Sequence, residues 1–161
     1  MAQSQQAQFD AILARNRGRF AAIAHAYAGH ESDDLLQEIL LQVWRGLKRF
    51  EGKSSVDTWC YRVALNTALS WRRTLGRKKK HLPAEAADVG NIKGSVDAHD
   101  ELALLQQFLA TLSDAERAIV LMYLDDLNGK EIAEVTGLSE GAVRVRIHRV
   151  KQKLAAWSAD E

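Results

Sequence analysis

The sequence predicts an all-α protein of two small helical domains joined by a flexible linker, the second of them carrying a helix-turn-helix. Three observations lead there. Apolar residues recur at spacings of three and four along most of the chain, and period-two alternation is missing. The single proline, Pro83, sits with Gly90 and Gly94 in a run of small and polar residues between two helical blocks. The stretch Gly129 to Leu154 reads as a short helix, a glycine turn and a second, capped helix. The expected domains are therefore residues 1–81 and 99–161, with 82–98 as linker.

Taken in order, a first helix carries Phe9, Ile12, Leu13, Phe20, Ile23 and Tyr27 on its apolar side and ends near Gly29. A second begins after a cap at Ser32 and runs to about Phe50, turning Leu35, Leu36, Ile39, Leu40, Val43, Trp44 and Leu47 inward. Residues 51–55 form a loop. A third helix, from Val56 to about Leu75, carries Val56, Trp59, Val63 and Leu69 and runs into the basic cluster Arg77 to Lys80. Beyond the linker, helices are expected over about 99–111, 113–124 with Ser113 as cap, 129–136 and 139–157.

Composition narrows the class of protein. Of 161 residues, 47% are hydrophobic and 27% charged, as in a soluble globular chain. The one cysteine, Cys60, excludes an internal disulfide and a cysteine zinc site. The start, MAQSQQAQF, has no basic segment followed by an apolar one, and nothing later approaches the roughly 18 apolar residues of a membrane span, so a cytoplasmic protein is expected. The net charge of +1 conceals segregation. Eleven basic residues face two acids between Arg45 and Lys80, whereas three basic residues face twelve acids between His81 and Val143. Arg144, Arg146, Arg149, Lys151 and Lys153 then turn the chain basic again. Two separated basic segments suit two contacts with a polyanion, but charge alone favours two solvated helix faces.

The carboxy-terminal motif, GKEIAEVTGLSEGAVRVRIHRVKQKL, decides between these for its own segment. Ala133 is small enough for a second helix to approach, Gly137 makes the turn and Ser139 caps that second helix. Along it Val143, Ile147, Val150 and Leu154 form one narrow apolar stripe. The opposite face holds Gly141, Val145, His148, Arg149 and Gln152, flanked by Arg144, Arg146 and Lys151, which is a face for reading the major groove.

In the amino-terminal half, Asp34, Gln37 and Glu38 lie at i, i+3 and i+4 and share one outward helix face. Acids in a first turn also suit the helix dipole, and the residues alone leave that reading open. The stretch 47–74 interleaves Phe50, Trp59, Tyr61 and Trp71 with Lys48, Arg49, Lys53, Arg62, Arg72 and Arg73, a mixture that suits single-stranded nucleic acid. Trp59 and Phe50 are expected in the core, and Arg62, Asn66, Arg72 and Arg73 at the surface. An enzyme is not expected: the five histidines and Cys60 show no paired ligand spacing, no nucleophile motif and no phosphate loop, so neither a catalytic residue, a metal nor a cofactor is assigned.

With both halves in view, the chain resembles the extracytoplasmic-function sigma factors of bacterial RNA polymerase. The resemblance runs from about Phe9 to Leu154 through DDLLQEILLQVW, RFEGKSSVDTWCYRVALNTA, a basic helix end, a linker and LSDAERAIVLMYLDDLNGKEIAEVTGLSEGAVRVRIHRVKQKL. It implies a factor that binds core polymerase and directs promoter-specific initiation. Asp34, Gln37 and Glu38 would dock on the clamp helices of the largest subunit. Gly52, Lys53, Ser54, Ser55, Asp57, Arg62 and Asn66, with Arg72 and Arg73, would engage the minus-ten element and its displaced strand. Gly141, Ala142, Arg144, Val145, His148 and Arg149 would read the minus-thirty-five element. An anti-sigma partner is expected on the same ground, and no membrane insertion. Val145 and Ala142 depart from the small polar residue and threonine usual there, and Cys60 from a usual leucine. The alternative is a free-standing helix-turn-helix regulator, which leaves the amino-terminal patterns unexplained.

Energetics favour a large partner. Opening about ten base pairs costs on the order of 15 kcal/mol in lost stacking, which a few aromatic contacts at about 1–3 kcal/mol each do not supply. A flexible linker of seventeen residues reaches about 60 Å extended and averages about 23 Å, so it does not hold two DNA sites in register.

Overall fold

The computed structural model describes residues 2–79 and 98–159, and among these every regular element is helical. Helices α1 (Ala2–Ala28), α2 (Ser32–Gly46) and α3 (Val56–Lys79) pack pairwise into the amino-terminal half. Helices α4 (Ala98–Ala110), α5 (Asp114–Leu124), α6 (Gly129–Thr136) and α7 (Glu140–Ala159) make the carboxy-terminal half. The expected linker, 82–98, lies outside the described residues except for Ala98, the first residue of α4.

Periodicity explains the packing. In α2, Leu35, Ile39 and Val43 recur every four residues and are fully buried, while Asp33, Asp34 and Gln37 face outward. They meet Phe20, Ile23 and Tyr27 of α1 and Cys60, Tyr61, Ala64 and Ala68 of α3. In the second half Phe108, Ile119, Met122, Ile132, Val143 and Val150 close the core, and Trp157 folds back to 5.6 Å from Phe108.

Three helix boundaries differ from expectation, one of them the end of α3, which runs on to Lys79 rather than stopping near Leu75. Ser32 is not a cap: it is buried in the first turn of α2, and its backbone N–H donates to Gly29 O because a 3-10 turn, Gly29–Glu31, runs directly into the helix. Helix α2 stops at Gly46 rather than near Phe50, and a 3-10 turn, Leu47–Arg49, comes next. The ring of Trp59 lies against Gly46 there, where a Cβ would stand 2.8 Å from Cζ2.

The carboxy-terminal helices start on local signals. Ser113 and Asn128 each accept from the backbone N–H three residues on, and Glu116 and Glu131 reach back to the two cap residues, so α5 and α6 both open with a capping box.

The two halves touch through polar groups. Arg117, only 2% exposed, donates to Leu109 O and Leu112 O in its own half and to Ala26 O in α1, with its guanidinium 5.2 Å above the Tyr27 ring. Tyr61 donates from its hydroxyl to Asp125 Oδ2 at 2.9 Å, and Arg19 donates to the Asp125 carbonyl at 3.1 Å. Tyr27 donates to Asp114 O at 2.8 Å, and Arg72 pairs with the Asp114 carboxylate at 3.4 Å.

Candidate functional site

The acidic face of α2 stands opposite its buried stripe. Asp34 and Gln37 are exposed; Glu38 is half-buried and accepts from Gln42 Nε2 at 2.8 Å. Asp34 and Glu38 line one wall of a cleft of about 770 Å³ between α2 and α3, with Glu31 and Gln42 beside them. Asn66, Thr67, Ser70 and Trp71 form the facing wall, so Asn66 shares a cleft with the acids rather than with the loop 51–55; Gln37 is outside the lining. The Trp71 indole Nε1 is buried there without a hydrogen-bond partner among the described residues.

The loop before α3 is shaped by Gly52, whose φ of +73° favours glycine, and by Ser55, whose hydroxyl accepts from Thr58 N at 3.1 Å and caps the helix. Lys53 is highly exposed and 3.1 Å from Glu51. Ser54 is half-buried and donates to Ser55 O. Asp57 is committed internally: one carboxylate oxygen accepts from Asn16 Nδ2 at 2.9 Å and from Arg15 at 3.3 Å, tying α1 to the start of α3. Below the loop, the half-buried rings of Phe50 and Trp59 lie 5.1 Å apart at a tilt of 44°; Trp59 packs against the core as expected, whereas Phe50 touches Trp59 at its edge and is not part of the core cluster. Tyr61 is buried too, so it offers no ring to a base.

The arginines of α3 divide into two sets. Arg73 is exposed and near Ser70 Oγ at 3.4 Å. Arg62 and Arg72 are half-buried against the carboxy-terminal half, Arg62 donating to the Glu134 carbonyl and Arg72 pairing with Asp114.

The helix-turn-helix forms as its residues require. Gly137, at φ +78°, ends α6 and its N–H donates to Ala133 O at 2.8 Å. Ser139 Oγ accepts from Ala142 N at 3.1 Å and starts α7. Val143 and Val150 are buried and Ile147 half-buried, but Leu154 is 45% exposed because the core on that side ends beneath Val150 and Trp157. Gly141, Arg144, Val145, His148 and Arg149 are exposed and Ala142 half-exposed. Among the described residues no acid pairs with Arg144 or Arg149, whereas Lys153 is held by Glu116 at 2.6 Å and Lys151 lies 4.9 Å above the Tyr123 ring.

Burial sets the electrostatics between the halves. It pushes the Tyr61 hydroxyl well above its ordinary range, and the Asp125 charge adds to this. Asp125 is itself raised by desolvation, opposed by the hydrogen bond from Tyr61. Arg117 is lowered by burial and then by Arg72, though an arginine stays charged. This cluster was not anticipated. Its one sequence signal is the spacing of Arg117 four before Leu121, which puts a cation on the inner face of α5.

Family comparisons agree with this anatomy. Residues 12–78 match the family described as Sigma-70 region 2, and residues 102–154 match Sigma-70, region 4. The ECF RNA polymerase sigma-E factor of Haemophilus influenzae is 28% identical over 160 residues, covering 91% of this chain and 85% of that protein. The sigma-E factor of Escherichia coli is 26% identical over 163 residues, covering 92% and 85%. Among solved structures, CnrH in complex with the cytosolic domain of CnrY superposes with a TM-score of 0.74 at 25% identity, covering 99% of this chain and 95% of that one. The sigma factor RpoE of Bartonella quintana, in complex with the anti-sigma factor NepR, shares the fold with a TM-score of 0.71 at 22% identity, over 91% and 94% of the two chains. With a region 2 match on α1 to α3 and a region 4 match on the helix-turn-helix half, the chain belongs to the extracytoplasmic-function sigma factors, which direct RNA polymerase to promoters.

Proposed function

We propose that residues 1–81 dock on core RNA polymerase through Asp34, Gln37 and Glu38 and receive the displaced minus-ten strand, while residues 99–161 read the minus-thirty-five element. Gly52, Lys53, Ser54, Ser55, Arg62, Asn66, Arg72 and Arg73 make the minus-ten contacts, and Asp57 fixes the loop from within. Gly141, Ala142, Arg144, Val145, His148 and Arg149 make the upstream contacts. The observation that carries this is the outward face of α7. Arg144 and Arg149 are exposed there without an acidic partner among the described residues, whereas Lys153 further along the same helix is held by Glu116. On this reading the protein acts in the cytoplasm and carries no catalytic centre of its own; an anti-sigma factor holds it, a role supported by the sigma factor RpoE, solved with the anti-sigma factor NepR, and by CnrH, solved with the cytosolic domain of CnrY. No described helix is long and apolar enough to cross a membrane.

The test is transcription by purified bacterial core polymerase with and without the protein on a library of promoter fragments. Specific transcripts appear only with the protein. The double variant Asp34→Lys, Glu38→Lys loses polymerase affinity while its melting temperature stays within a few degrees of the wild type; unchanged affinity removes the docking assignment.

A further inference from the structure

The outward face of α7 is not uniformly basic. At about 100° per residue, the point opposite buried Val143 and Val150 is occupied by Val145, which is 49% exposed. Arg144 and Arg146 flank it, and His148 and Arg149 come one turn on. A β-branched side chain is a mediocre helix former, and this one is left facing solvent by its own chain.

One turn earlier stands Gly141, also exposed. Its φ is not among the positive values, and a Cβ built on it meets nothing nearer than Ser139 Oγ at 4.0 Å. Neither backbone conformation nor packing among the described residues calls for glycine, which is up to about 1 kcal/mol worse than alanine in a helix. The ridge that would enter a major groove therefore presents a gap and, one turn later, an apolar knob.

Of the four bases, thymine alone shows a methyl group on its major-groove edge; the others offer donors and acceptors that a valine leaves unpaired. We infer that Val145 reads the C5-methyl of one thymine in the upstream promoter element, and that Gly141 is the clearance that lets the first turn of α7 approach the DNA closely enough for that contact. This rests on the promoter reading of the helix-turn-helix proposed above.

The preferred upstream sequence is first selected by transcription from promoters randomised there, using holoenzyme with the full chain. Each thymine in it is then replaced singly by deoxyuridine, which removes only the methyl. At one position the wild-type holoenzyme loses about fourfold in affinity, the value of one buried methyl-sized group. Holoenzyme with Val145→Ala is about fourfold weaker on the thymine promoter and indifferent to deoxyuridine at that position. Gly141→Ala keeps or raises the melting temperature of the chain yet weakens the selected promoter about tenfold. Deoxyuridine neutral everywhere, the same deoxyuridine penalty in Val145→Ala, or a Gly141→Ala protein that binds like wild type each overturns the inference. Failure of the underlying reading looks different: no upstream sequence is selected at all.

Discussion

The guanidinium of Arg62 donates to the backbone carbonyl of Glu134, a group in the last turn of α6 that has no partner within its own helix. An arginine of the amino-terminal half thus caps a helix of the helix-turn-helix, at the end where the helix dipole attracts a cation. A DNA phosphate competes for the same guanidinium. With Arg72 held by Asp114, two of the arginines assigned to promoter DNA face the other half of their own chain.

Assembly of the promoter complex is therefore expected to separate the halves. Fluorophores on cysteines introduced at exposed Arg17 and Ser158 report the separation. Cys60 stays silent, since burial pushes its thiol up to about 12 and leaves little reactive thiolate. Energy transfer is high in the free chain and falls when core polymerase and promoter are added. Transfer that does not change in the complete complex rules the separation out.

Arg117→Met is expected to destabilise the chain by about 3 kcal/mol, because it strips a buried donor from three carbonyls at once. Urea unfolding measures it. Arg117→Lys recovers only part, since one ammonium cannot copy the planar fork. A loss below about 1 kcal/mol in Arg117→Met contradicts the account.

At Gly46, alanine should improve helix propensity by up to about 1 kcal/mol. Its Cβ would stand 2.8 Å and 3.0 Å from the Trp59 ring carbons, so overpacking by about 1–3 kcal/mol wins and Gly46→Ala melts lower than wild type. Combining it with Trp59→Leu makes the alanine neutral or stabilising. Two simply additive penalties would locate the strain elsewhere.

Stability should also carry a pH signature from Glu116. Its carboxyl is held below the usual range by the bond from Lys153, against some desolvation and with help from Ser113. A depressed folded value means the contribution is full above the ordinary glutamate range and is lost as pH falls through the folded value. Because Lys153 is half-exposed, the contribution stays below about 1 kcal/mol. The stability difference between wild type and Lys153→Met shrinks toward zero on acidification; a difference constant from neutral pH to about pH 3 contradicts this.

Features encoded within a few residues were legible from the sequence. Gly137, Ser139 and Ser113 announce their turn and caps, and the four-residue recurrence of Leu35, Ile39 and Val43 announces a buried stripe. Ser32 misled because a 3-10 turn ahead of it supplied the helix start that its hydroxyl was expected to supply. Leu154 misled because periodicity says which way a residue points and not where the neighbouring core ends. The contacts of Tyr61 with Asp125 and of Ala26 with Arg117 join residues 64 and 91 apart, and nothing local marks such partners. The candidate promoter residues were recognisable as types; that Asp57 binds α1 and that Arg62 faces α6 needed three dimensions.

The paired capping boxes at Ser113 and Asn128 have a consequence for modularity. Each sets its helix start from side chains at most three residues away, and Gly137 and Ser139 fix the remaining turn by equally short bonds. If the halves separate as predicted, these local bonds would hold the internal geometry of the helix-turn-helix half. A half built on such short-range bonds would travel as a unit, and the surface that next received it would set its orientation.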